Sequence, residues 1–184
     1  MTAMICLLRA VNVGGHNQIK MDALRALCES LGLRNSQTYI QSGNAVFQSS
    51  ERDPVKLAVR IESAIEKKHG FRPDVVLRTA AEMREVVAHN PFAKRSGIEP
   101  NKLAVMFLAR SPEAAVQDAV RKIEPEVEEL HLLGRELYIY FPDGMGRSKL
   151  VPLLARALKN TGTARNWNSV MKLLEMADKL EETG

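Results

Sequence analysis

Gln37-Thr38-Tyr39-Ile40-Gln41-Ser42-Gly43-Asn44-Ala45-Val46-Phe47-Gln48 decides how the chain is read. Residues 37–41 and 45–48 are strand-forming runs, and Ser42-Gly43-Asn44 between them is a trio tolerant of positive φ, so the stretch predicts a hairpin. Two strands in direct succession break any simple alternation of strand and helix. Upstream, residues 3–9 are almost wholly apolar, the signature of a strand covered on both faces. Met21, Leu24, Leu27, Cys28 and Leu31 then recur at helical spacing, and Gly32 stands where a left-handed C-terminal cap is expected. Downstream, Asp53-Pro54 is an N-cap followed by proline at the first helical position; Leu57, Ala58, Ile61 and Ile65 mark one face, and Gly70 ends the helix. A strand over residues 73–78 follows. The order strand, helix, strand, strand, helix, strand is the split βαβ pattern of ferredoxin-like sheets.

The pattern then partly repeats. Thr79-Ala80-Ala81-Glu82 matches a capping box and starts a connecting helix, which Asn90-Pro91 ends. Residues 92–101, with Ser96-Gly97 and Glu99-Pro100, read as a hinge. Residues 102–108 form an apolar strand, Ser111-Pro112 caps a helix turning Val116, Val120 and Ile123 inward, and Gly134-Arg135 joins a second hairpin of residues 130–133 and 137–141. Glycine first in that pair predicts a type II′ turn. Leu150, Leu153, Leu154, Ala157 and Leu158 mark the next helix. No closing strand is read after it; a last helix covers residues 168–180. The fold class is α+β, two ferredoxin-like βαββαβ-related halves plus a C-terminal helix. The expected division is 1–78 for the first half, 79–101 for connecting helix and hinge, and 102–184 for a second, incomplete half.

The 184 residues suffice for one domain or two small halves sharing a core, and 45% hydrophobic with 26% charged residues is the composition of a globular protein. The net charge of +4, from 26 basic against 22 acidic residues, implies only a mild preference for anions. No run of five like charges marks a nucleic-acid tail. Cys6 and Cys28 lie at apolar positions and read as reduced core residues. The N-terminal segment has no positive leader or cleavage signal and no stretch is long and apolar enough to span a bilayer, so the expected compartment is the cytoplasm, with no membrane partner.

Residues 7–21 carry the apolar strand through Gly14-Gly15 into the first helix. The glycines fit neither a spaced dinucleotide fingerprint nor a P-loop, and turn chemistry alone makes them a tight turn with Asn12 and Asn17 bonding local backbone. Polar groups nevertheless collect at the ends of elements: Arg9, Asn12, His16, Asn17 and Lys20 in this loop, and Gln41, Ser42 and Asn44 in the hairpin. Arg147-Ser148-Lys149 opens a helix whose dipole opposes cations, which calls for an anionic partner or a carboxylate from another element. Arg165-Asn166-Trp167-Asn168 holds the only tryptophan, two possible caps, and an arginine whose fork suits a planar oxyanion. The tryptophan reads first as an anchor for its helix. His16, His69, His89 and His131 have no metal-ligand spacing, so no metal is expected. Ser42 has no identified base, and Glu124, Glu126, Glu128 and Glu129 read as a solvated connector.

Residues 7–15, Lys20-Met21, Leu24-Arg25, residues 38–47, Asn90-Pro91-Phe92 and residues 163–168, taken together and in order, resemble the DUF1697 family of uncharacterised bacterial proteins. Ala10 stands where that family often has glycine, and Ser169 where it often has threonine. The resemblance implies an α/β fold of two interlocked, ferredoxin-related halves and no established activity, so function rests on the residues.

The leading functional expectation is a protein that binds a small anionic ligand, phosphate- or nucleotide-containing, at a polar site between the halves. Arg9, Asn12, Gly14, Gly15, Lys20, Ser42, Asn44, Lys149, Arg165 and Asn166 are its candidate ligand-binding residues. The alternatives are an enzyme acting on a phosphorylated small molecule, with His16 or Tyr39 in proton transfer, and a protein-interaction module. No cofactor is read from the sequence, and the oligomeric state stays open. Nucleic acid ranks below these, because an RNA-binding sheet displays aromatics and only 5% of residues here are aromatic, with Tyr138, Tyr140 and Phe141 as the set such a surface would use.

Overall fold

A computed structural model describes residues 1–159 and 161–182, with strands β1 (Thr2–Leu8), β2 (Arg34–Tyr39), β3 (Asn44–Ser49), β4 (Val75–Thr79), β5 (Leu103–Phe107), β6 (Glu129–Leu133), β7 (Glu136–Tyr140) and β8 (Thr163–Asn166). The helices are α1 (Met21–Ser30), α2 (Pro54–His69), α3 (Ala80–Ala88), α4 (Ala114–Arg121), α5 (Leu150–Ala157) and α6 (Trp167–Glu182). The chain divides into two compact units, Met1–Glu85 with the segment from Lys172 onward, and Val86–Met171.

In the first unit the sheet order is β2-β3-β1-β4, every neighbouring pair antiparallel. Met4, Cys6, Leu8, Ala45, Phe47 and Leu77 form a buried cluster with Leu24 and Leu27 of α1 and Leu57, Ile61 and Ile65 of α2. The alternate positions Ala3, Ile5, Leu7, Val46 and Val76 are buried as well, which is why β1 reads as an unbroken apolar run rather than an alternating one. The caps act as their residue types dictate. Asp53 Oδ1 accepts from the amides of Val55 and Lys56, Gly70 closes α2 at φ +77°, and Thr79 and Glu82 exchange reciprocal side-chain-to-backbone bonds of 2.8 and 3.1 Å. Cys28 and Cys6 are buried and in no disulfide among the described residues, and burial pushes the Cys28 thiol up to about 12.

The second unit has the order β6-β7-β5-β8, again antiparallel throughout. Its cluster joins Ala104, Leu137, Ile139 and Phe141 to Val120 of α4 and Leu150, Leu154 and Leu158 of α5 and its end. Gly134 takes φ +61° while Arg135 stays at negative φ, consistent with the expected II′ turn. Two local expectations are corrected here. A fourth strand does close this sheet: Thr163-Ala164-Arg165-Asn166 pairs antiparallel with β5, alternating buried and less buried residues, so its strand state comes from pairing and not from an apolar run. Helix α4 begins at Ala114 and not behind Ser111-Pro112, because the Glu113 carbonyl accepts the first helical bonds, from Val116 and Gln117 at 2.9 and 3.0 Å.

Gln48 Nε2 donates to the Leu180 carbonyl at 2.8 Å, and Arg84 of α3 binds Asp178 and Glu181, so the end of α6 belongs with the first sheet. In the second unit, Phe92 is buried, with its ring 5.3 Å from His131 edge-on, and Arg95 lies over the Tyr140 ring and pairs with Glu129.

Candidate functional site

Two loops of the first unit, residues 9–20 after β1 and residues 40–43 between β2 and β3, are stitched together through Asn12. Its Nδ2 donates to the carbonyls of Ile19 at 2.9 Å and Gln41 at 2.7 Å, while its Oδ1 accepts from the Ile19 amide at 2.8 Å. A second join is the 2.8 Å bond from the Leu8 amide to the Gly43 carbonyl. Gly43 has φ +75°, and a Cβ there would stand 2.9 Å from Leu8 Cβ and 3.3 Å from Val11 Cβ. Only glycine meets both the dihedral and the close approach.

The backbone of the pair is unusual. Ala10 (φ 53°), Asn12 (57°), Gly14 (58°), Gly15 (80°), Asn17 (51°), Ile40 (48°) and Gly43 (75°) all lie in the left-handed region. Glycine and asparagine tolerate it; alanine and above all β-branched isoleucine do not, so Ala10 and Ile40 hold real strain. Gly14-Gly15 form the tip of a small hairpin, with the His16 amide bonded to the Val13 carbonyl at 3.1 Å and the two positive φ values of a type I′ turn. This tip precedes the Lys20 N-cap of α1 by several residues, so the glycines are a turn and not a helix-start cradle. Nothing lies within 4 Å of a Cβ added at either glycine. The loop is exposed from Val13 to Gln18 and again at Lys20.

Electrostatically the pair leans positive. Residues 9–21 and 36–49 contain no acidic side chain, and they carry Arg9, Lys20 and His16. Arg9 is partly neutralised by Asp74 at 3.0 Å. Lys20 makes no ion pair among the described residues and supplies no side-chain cap to α1, whose first turn holds Asp22, engaged by Arg25 at 3.2 Å.

The other residues singled out in the sequence have internal duties. Asn44 is fully buried in β3 and donates to the Tyr39 carbonyl and to Ser42 Oγ, both at 3.0 Å. Tyr39 ends β2 half-buried, and His16 is exposed at the hairpin tip. In the second unit, Arg165 is buried on β8 and donates to Thr163 Oγ1 at 2.6 Å and to the Ala164 carbonyl at 2.8 Å. Asn166 caps α6, its Oδ1 accepting from the Ser169 amide at 2.9 Å, and Trp167 is that helix's first residue. Lys149 pairs with Glu126 at 2.9 Å, and Ser148 donates to Glu128. Carboxylates of the segment before β6 therefore answer the cations at the start of α5, while Glu124 and Glu126 stay exposed in the connector between α4 and β6. The Ser148 hydrogen bond holds the Glu128 carboxyl below the usual range, and Glu126 raises Lys149.

Sequence reasoning missed Ala10, Ile40 and the Gln41 carbonyl. Only the glycines and the asparagines of the two loops signal positive φ by residue type. No group of three or more His, Cys, Asp or Glu side chains is placed to hold a metal among the described residues. Nor is any helix among them long and apolar enough to cross a membrane.

No curated protein matches the chain. Among solved structures it is similar to a conserved bacterial protein, SP0830 from Streptococcus pneumoniae, at 23% identity over 96% of this chain and 98% of that one, with a TM-score of 0.76. That likeness is one of fold, an α/β arrangement over nearly the whole length. The family model described as a protein of unknown function, DUF1697, matches residues 1–138, which include both loops of the pair and stop before Arg165-Asn166-Trp167-Asn168. The chain belongs to the DUF1697 family.

Proposed function

We propose that the loop pair of the first unit binds a small anionic ligand, with phosphate- and nucleotide-containing molecules as its chemistry. One observation carries the reading: seven left-handed residues, two of them Ala10 and Ile40, are concentrated in two hydrogen-bonded loops at an exposed surface. Each such non-glycine residue costs on the order of 1–3 kcal/mol and persists only where its surroundings over-determine it, a condition that clusters at ligand sites. The absence of acidic side chains from both segments, the exposed Lys20 and His16, and the open backbone at Gly14-Gly15 suit an anion. Arg9, Asn12, Asn44, Lys149, Arg165 and Asn166 have partners within the protein, so the reading rests on Lys20, His16 and the loop amides.

The test is thermal unfolding against inorganic phosphate, nucleotides and sugar phosphates. A ligand that binds only the folded state raises the midpoint, and Lys20→Glu should abolish the rise. No rise with any of them overturns the reading. An enzyme using His16 or Tyr39 in proton transfer would be the same site with a reaction added, and turnover of a bound ligand distinguishes it. The exposure of Val13 (65%) and Ile40 (49%) at the two loops favours instead a protein-interaction surface. Each unit is also inferred to be ferredoxin-like, supported in the first by strand order β2-β3-β1-β4, antiparallel pairing and clustering of α1 and α2 with one sheet face.

A further inference from the structure

We infer that a groove between α4 and α5 in the second unit docks an acidic amphipathic helix of another protein. The groove has a volume of about 430 Å³. Its apolar lining comes from Val116 and Ile123 on one side and Leu153 on the other, with the small residues Ala115, Ala119 and Ala157 letting a partner approach the backbones closely. Helix α5 explains why the surface is there. Leu150, Leu154 and Leu158 enter the core of this unit, yet Leu153 beside them is 44% exposed on the groove, so the apolar stripe of the helix runs wider than the part its own core covers. A surface helix that serves only its core is apolar along one stripe.

Charge selects the occupant. Arg156 and Lys159 are the charged residues lining the groove; both are exposed, and neither makes an ion pair among the described residues. No carboxylate lines it, and Asp118 on α4 is engaged by Arg121. A third helix laid against two others interdigitates its side chains with theirs, presenting apolar anchors at i, i+3/i+4 and i+7, and acidic flanks on that helix meet Arg156 and Lys159. The groove is independent of the loop pair.

The test is a fluorescence-anisotropy titration of the full chain against a labelled synthetic helical peptide with leucine at heptad a and d positions and glutamate flanking them. Saturable binding is expected, weakening as salt rises, with a lysine-flanked version of the same peptide bound about tenfold or more weakly. Leu153→Glu and the pair Arg156→Glu/Lys159→Glu should each weaken the acidic peptide about tenfold, while Lys20→Glu leaves it unchanged. All three sit at exposed positions, and circular dichroism confirms that each variant is folded. No binding of the acidic peptide, equal affinity for both peptides, indifference to Leu153→Glu, or binding of phosphatidylglycerol vesicles in place of the peptide each overturns the inference.

Discussion

Asn12 and Gln41, 29 positions apart, are joined by a 2.7 Å hydrogen bond from the Asn12 amide group to the Gln41 carbonyl. The bond ties the loop after β1 to the turn of the first hairpin, and it answers at the level of one side chain whether those two polar segments meet. Asn12→Ala removes this bond and both bonds to Ile19, and leaves an alanine at φ 57°. The expected loss is about 2–4 kcal/mol, read from the urea midpoint, with faster amide exchange over both loops. Asn12→Asp keeps an acceptor for the Ile19 amide and should lose less.

Gly43 and Gly14 share a positive φ but not their surroundings. Gly14→Ala meets no atom within 4 Å and should cost about 1–2 kcal/mol, the dihedral strain alone. Gly43→Ala adds a methyl 2.9 Å from Leu8 Cβ and should cost about 2–5 kcal/mol. Denaturant midpoints of the two variants decide it; equal losses would show that the Leu8 contact relaxes freely.

Glu128 accepts from Ser148, whose Oγ in turn accepts from the Leu150 amide at 3.1 Å. The folded pKa of Glu128 is lowered from its ordinary 4.5, so its contribution is present above that pH and is lost as pH falls through the folded value. Amide exchange at Leu150, corrected for intrinsic pH dependence, should show protection declining below that range. Glu128→Gln should flatten this part of the profile. Because Glu128 lies near the surface, the effect is local and the global midpoint should move little.

What the sequence makes legible is what local chemistry decides. The Asp53-Pro54 start of α2, the Thr79/Glu82 capping box and the Gly134 turn need only neighbours within four residues. Strand β8 needs β5, some sixty residues away, and its Thr-Ala-Arg-Asn sequence has no apolar run to advertise it. The same limit governs the site. Arg9 looks available until Asp74, 65 positions on, takes it, and Lys149 until Glu126 does. The strain at Ala10 and Ile40 has no signature in residue type, because it is imposed by the bonds that close the loops around them.

The most direct test of the loop pair as an anion site is amide chemical-shift mapping of the full chain during titration with inorganic phosphate, a nucleoside monophosphate and a sugar phosphate. The account predicts saturable shifts at Gly14, Gly15, His16, Lys20 and the 41–43 turn with at least one of them, abolished by Lys20→Glu and unchanged by Arg156→Glu. Saturable shifts confined to other residues, or none at millimolar concentrations of all three, would contradict it.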